Sequence, residues 1–216
     1  MLLALDTATH FASIALYDGE GVRAELSWLS HRRHTVELAP QVENLLQLVG
    51  ISPEDLAALA VSIGPGSYTG TRIALSYAKG IALARDLPLI GIPTLDALVY
   101  PHLPATMPIC GLVAAGRGRY DWAVYAPDAP VPRRLTEFRL GRLSELLTQL
   151  QPPMSFVGEL SQEDRAALID AWGQDARILS PALAVRRASA LAELAWSRWR
   201  AGDVDDPVSL SPIYLA

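Results

Sequence analysis

Two short stretches of this 216-residue chain bring together groups that handle anions. One is the turn Asp6-Thr7-Ala8-Thr9; the other is the loop Gly64-Pro65-Gly66-Ser67-Tyr68-Thr69-Gly70, with Thr71-Arg72 behind it. The loop falls between an apolar run that reads as a buried strand over 59–63 and a helical pattern over 71–85. Glycine at such a junction lets the backbone turn sharply and lets another group come close. Free N–H groups and the positive dipole end of the helix favour an anion there. Asp6, Thr7, Gly64, Gly66, Ser67, Thr69 and Gly70 are therefore candidate contacts for a nucleotide or other anion. A tight connection with no ligand accounts for the same glycines. The loop is no Walker A motif, because Arg72 follows Thr71 where that motif needs Gly-Lys-Ser/Thr.

Several chemistries can be weighed against these residues. A two-metal nuclease of the ribonuclease H type keeps a carboxylate at the end of its first strand, where Asp6 stands, but needs several converging acids. The central strand ends in Gly64, and Glu37 and Glu43 are poorly matched to that geometry. A metallohydrolase needs a ligand set. His31 and His34 are three apart with no third ligand nearby, and His10 and His102 are isolated. Ser67 lies on Gly-x-Ser-x-x-Gly, one residue off the nucleophile elbow, with no base evident. Nucleotide binding in the actin-like manner fits by half. The counterpart expected after Ala114 reads Ala115-Gly116-Arg117-Gly118, with glycines and no acid, so strong ATPase activity is not expected.

Composition narrows the classes further. Half the residues are hydrophobic and 19% are charged, as in a globular chain with length for one large domain or two lobes. The net charge is −5 and Lys79 is the sole lysine, so the basic stripe of an autonomous nucleic-acid binder is missing. Cys110, the one cysteine, excludes an intramolecular disulfide and a cysteine zinc cluster. No apolar run reaches the roughly 18 residues of a membrane span, and no basic region with a cleavage site opens the chain. A cytoplasmic location is the expectation.

The elements that must position the two turns follow from periodicity. Strands are expected over 2–6, 12–17 and 22–28, the last two joined by the hairpin signal Asp18-Gly19-Glu20-Gly21. A helix over 35–49 carries Leu38, Val42, Leu45 and Val49 on one stripe. Pro40 marks a kink or the helix's real first turn, and Gly50 its end. In the 71–85 helix, Ile73, Ala74, Leu75, Tyr77, Ala78, Ile81, Ala82, Leu83 and Ala84 leave almost no polar face. Such a helix needs cover on two sides. Burial within the chain is one solution; a partner surface is favoured slightly, since Ala74, Ala78 and Ala82 permit close helix approach. A strand over 87–92 and a helix over 94–100 complete the first half. After Pro101, Pro104 and Pro108 the order begins again with strands over 109–114, 120–126 and 134–138. A helix (140–150), a strand (155–158), a helix (162–172), a strand (176–179) and the longest helix (182–200) follow. The repeated order predicts an α/β fold with two lobes, 1–101 and 102–216. Each is a mixed sheet flanked by helices, as in actin-like (ASKHA, ribonuclease H-like) domains.

Together these residues resemble the TsaB (YeaZ) family, relatives of the TsaD proteins that make threonylcarbamoyladenosine on tRNA. The resemblance rests on Leu3-Ala4-Leu5-Asp6-Thr7-Ala8-Thr9, the 34–46 helix, the 64–73 loop and Ala78-Lys79-Gly80-Ile81-Ala82. Leu87-Pro88-Leu89-Ile90-Gly91-Ile92 and the ending Pro212-Ile213-Tyr214-Leu215 also match. TsaD-type proteins hold a catalytic metal with a His-x-x-x-His pair, and those positions fall on Thr94 and Leu98 here. Neither side chain can replace an imidazole. The resemblance thus implies a non-catalytic subunit, with no catalytic or metal residue of its own. It would pair with TsaD in forming N6-threonylcarbamoyladenosine at position 37 of tRNAs reading ANN codons. TsaD would move the threonylcarbamoyl group from its adenylate to adenosine, and TsaE, a small ATPase, would join the pair. Transfer RNA would be met only through the complex, and ATP or ADP at the joint interface with TsaD instead of strongly on this chain. The implied contact helices are 35–49 and 71–85, with His34, Leu38, Leu45, Arg72, Ala74, Tyr77, Ala78 and Ile81 as candidate interface residues. A homodimer through the same face is the implied stand-in in isolation. One departure stands out: Asp-Ala-Arg is common in the family after the second lobe's first strand, and this chain has Ala114-Ala115-Gly116. The competing reading is an autonomous ATP-binding sugar-kinase-like enzyme. A peptidase-like hydrolase is argued against by the missing metal pair.

Overall fold

The computed structural model describes residues 1–31 and 33–215. It divides into two compact units, one of Met1–Ala97 with Arg186–Tyr214 and a second built on Leu98–Val185. The first unit opens with β1 (Leu2–Asp6), β2 (Phe11–Tyr17) and β3 (Val22–Leu29), followed by α1 (His34–Val49) and β4 (Ala58–Ser62). Then come α2 (Tyr68–Arg85), β5 (Leu89–Ile92) and α3 (Thr94–Val99). The sheet order is β3-β2-β1-β4-β5. β1 runs antiparallel to β2 and parallel to β4, and β4 runs parallel to β5.

The central strands are apolar throughout because both faces of the sheet are covered. Leu3, Leu5, Leu59 and Val61 face a core shared with Leu38, Val42 and Leu45 of α1 and Ala74, Ala78 and Ala82 of α2. Leu2, Ala4, Ala58, Ala60 and Ile90 face the opposite side, where α6 (Ala188–Arg200) supplies Ala188, Leu191, Ala192 and Ala195. Small residues on both partners let this helix lie close to the strands. α1 runs through Pro40 without a break and ends at Gly50, whose φ of 75° suits the left-handed cap.

The second unit repeats the scheme. β6 (Ile109–Gly116), β7 (Arg119–Tyr125) and β8 (Arg139–Gly141) are followed by α4 (Leu143–Gln149), β9 (Met154–Gly158), α5 (Gln162–Trp172) and β10 (Ala176–Ile178). The order β10-β9-β6-β7-β8 is the first sheet's order read from the other edge. The expected strand over 134–138 lies later, at Arg139–Gly141, and Arg134 pairs with Tyr125 as an isolated bridge. The following helix starts at Leu143 because the Glu145 carboxylate accepts the N–H of Arg142 at 2.9 Å and fixes the cap there.

One boundary differs from the sequence expectation of lobes at 1–101 and 102–216. Residues Arg186–Tyr214, with α6 among them, belong to the first unit. The apolar stripe of α6 is legible in the sequence, but which of two similar sheets it covers is not. Beyond α6 the chain follows β5: Asp205 bridges Leu89, and its Oδ2 accepts the N–H of Gly91 at 2.8 Å. Further on, the N–H of Ile213 donates to the Ile63 carbonyl at 2.7 Å.

Candidate functional site

The turn after β1 is closed by groups distant in sequence. Asp6 is buried, its Oδ1 accepting the N–H of Ala8 and its Oδ2 the Nε–H of Arg186, both at 2.8 Å. Arg186 also donates to the Phe11 carbonyl at 2.8 Å. The one acid among the seven candidate anion contacts is thus paired with an arginine inside the chain. The Thr7 hydroxyl donates to the Gly70 carbonyl at 2.6 Å and accepts the N–H of Ala74 at 3.1 Å, so it completes the first turn of α2. Ser67 caps that helix, its Oγ accepting the N–H of Gly70 at 3.2 Å, while its own N–H donates to the Ala8 carbonyl at 2.6 Å.

The glycines do serve close approach, and the approaching group is the chain itself. A Cβ on Gly66 would lie 2.5 Å from the Ala8 carbonyl oxygen, and one on Gly70 2.2 Å from that of Thr7. Gly64, at φ 96°, has the Ile213 carbonyl oxygen 2.7 Å from where its Cβ would be. Of the seven candidate anion residues, Asp6, Thr7, Gly64, Gly66, Ser67 and Gly70 knit the β1 turn, α2 and the 213 region together. Ser67 and Thr69 are exposed, and Thr69 lines a groove.

That groove, of about 570 Å³, lies between α1 and α2 and is lined by Thr35, Leu38, Ala39, Tyr68, Thr69, Arg72, Ile73, Ser76 and Tyr77. Among the eight candidate interface residues, Arg72 and Tyr77 line it with accessible surface, and Ile81 is half-buried nearby on α2. The other five are buried in the chain, Leu38 among them although it also lines the groove. Ala74 and Ala78 are fully buried, and Leu38, Leu45 and His34 are at most 5% exposed. The small-residue stripe of α2 packs on the chain's own sheet, so its closeness is spent internally. His34 is fixed by its Nε2–H donating to the Thr9 carbonyl at 2.8 Å, and burial pushes its pKa below the ordinary value.

Sequence reasoning missed Arg186 and the role of Tyr68 and Tyr214. The guanidinium of Arg72 lies 4.1 Å over the Tyr68 ring, and its Nε–H donates to the Tyr214 hydroxyl at 2.7 Å. The two tyrosine rings stack with centroids 4.9 Å apart. The four-residue spacing of Tyr68 and Arg72 was the available signal; the arrival of Tyr214 had none.

Comparison with known proteins places this architecture. A family model described as TsaD, tRNA N6-adenosine threonylcarbamoyltransferase, matches residues 21–202. The tRNA threonylcarbamoyladenosine biosynthesis protein TsaB of Escherichia coli K12 is 38% identical over 130 residues, 59% of this chain. The TsaB of Bacillus subtilis 168 is 29% identical over 217 residues, 99% of this chain. The chain belongs to the TsaB/YeaZ family. The match spans about half of the E. coli relative's length, 55%, and 93% of the B. subtilis one. The solved structure of YeaZ from Pseudomonas aeruginosa superposes with a TM-score of 0.82 at 24% identity, covering 99% of each chain. The fold is actin-like, with two mixed five-stranded sheets flanked by helices. At the positions where the resemblance to TsaD would put a metal pair, the side chains are built into packing. Thr94 is fully buried with its hydroxyl 2.7 Å from that of Ser62, and Leu98 is 2% exposed.

Proposed function

We propose that this chain is a non-catalytic subunit of the machinery that forms N6-threonylcarbamoyladenosine at position 37 of tRNAs reading ANN codons, and that it docks TsaD through the α1–α2 face. The observation that carries the reading is the groove between these helices, with Tyr68 56% and Leu83 59% exposed on α2 beside it. Large apolar side chains held outside a chain on one helix face suit a protein partner. The relatives' names supply the pathway. The buried Thr94–Ser62 pair and the Asp6–Arg186 pair support a supporting role, since both occupy places where chemistry would need open ligands.

TsaE joins the assembly in this reading, tRNA is met through the complex, and ATP or ADP enters at the joint surface with TsaD. In isolation the same face self-associates weakly. The test is reconstitution with the TsaD of the same organism and unmodified tRNA. Modification is expected when both proteins are present, with a stable complex by size exclusion. Full modification by TsaD alone, or ATP turnover by this chain alone, would overturn the proposal, the latter in favour of a sugar-kinase-like enzyme.

A further inference from the structure

Arg72 is held in a way that leaves its charge available. The side chain is exposed on the first turns of α2, one guanidinium face lies on the Tyr68 ring, and Nε–H is engaged by the Tyr214 hydroxyl. The Tyr214 ring in turn stacks on Tyr68, with 30° between the planes. No carboxylate pairs with Arg72 among the described residues. Every other residue lining the groove is uncharged: Thr35, Leu38, Ala39, Tyr68, Thr69, Ile73, Ser76 and Tyr77. We propose that Arg72 is a preset receptor for a carboxylate of the protein partner that covers the α1–α2 groove, with Tyr68 and Tyr214 as its positioning residues.

The inference rests on the docking reading above and adds the chemistry of the contact. A partner segment laid on Ile73 and Tyr77 would strip water from the neighbouring guanidinium. A desolvated cation left without a counter-charge is strongly unfavourable, so the partner must bring one. With Nε taken by Tyr214, the terminal nitrogens present the planar fork that matches a carboxylate in two parallel hydrogen bonds. Stacking and the Tyr214 hydrogen bond fix that fork before the partner arrives, which lowers the ordering cost of binding. The 213–214 segment, far from α2 in sequence, thereby becomes part of the docking face.

The experiment measures the affinity of the full-length chain for TsaD at low and high salt. Arg72→Ala is expected to weaken binding by at least about thirtyfold with most of the salt dependence lost, and Arg72→Lys to weaken it by a smaller factor while the salt dependence stays. Tyr214→Phe keeps the stack and removes the hydroxyl, and is expected to weaken binding by a smaller factor through faster dissociation. Melting temperatures of all three should stay within about 2 °C of the parent, since these side chains are exposed. A charge swap, Arg72→Glu against an arginine at the contacting acidic residue of TsaD, should restore affinity. Should Arg72→Ala bind like the parent while Tyr77→Glu does not bind, the docking face stands and the carboxylate receptor falls. Should the unaltered chain fail to bind TsaD, both fall together.

Discussion

Asp121 lies on β7 at 4% exposure, on the face opposite Tyr120, Trp122 and Val124, which enter the second unit's core. Burial raises its pKa from 3.8 to about 6, with Arg119 offsetting part of the shift. A carboxyl whose folded pKa is raised favours the folded state in its protonated form. Its contribution is fully present below pH 3.8 and is lost as pH rises through about 6. Asp121→Asn, which removes the charge at nearly constant shape, should therefore stabilise the chain by about 1–2 kcal/mol at pH 8. The gain should vanish at pH 3.5, as read from denaturant midpoints at the two pH values. Equal gain at both would mean that the charge is not what burial penalises. Asp6 shows what a sequence can and cannot say at this scale. Its place at a strand end and the tight turns at Gly64 and Gly66 are legible, because backbone conformation is a local property. Its partner Arg186 stands 180 residues away, and no local pattern distinguishes an acid that waits for a cation from one already paired.

At the scale of the element, α2 was expected to be covered on two sides, and the structure sorts its apolar residues. The 74, 78 and 82 positions face the sheet; the 69, 72, 73, 76 and 77 positions line the groove, and Leu83 continues that outer stripe. Amphipathic periodicity was blurred because alanine serves both faces, so the burial of Ala78 could not be read from the sequence. The two faces respond differently to charge. Ala78→Glu places a carboxylate at a fully buried site in the core that also holds Leu5, Leu59 and Val61, and should destabilise by more than about 4 kcal/mol or prevent folding. Leu83→Glu, at a site 59% exposed, should keep the parent's melting temperature and weaken TsaD binding. Circular dichroism melts and a pull-down with TsaD separate the two. A folded Ala78→Glu variant would show that the helix sits more loosely on the sheet than these contacts require.

The whole molecule is organised so that the first sheet is finished by the last helix. The first half of the chain supplies β1–β5, α1 and α2, yet the side of the sheet carrying Leu2, Ala4, Ala58, Ala60 and Ile90 is closed by residues after Arg186. Without them, Leu2, Ile90 and their neighbours on the sheet are left bare, at about 1.5–3 kcal/mol for each large side chain. Asp6, on the same side of β1, would also lose the ion pair that Arg186 makes with it. These losses together reach the net stability of about 5–15 kcal/mol that an ordinary domain has. Residues 1–101 expressed alone should therefore be aggregated or unfolded, with no cooperative thermal transition. The same segment joined through a flexible linker to 186–214 should regain a sharp transition and dispersed amide NMR signals, because it restores the unit that the contacts define. A cooperative transition in 1–101 alone, at the parent's temperature, would show that the sheet needs no cover from α6 and would restore the simpler division at residue 101.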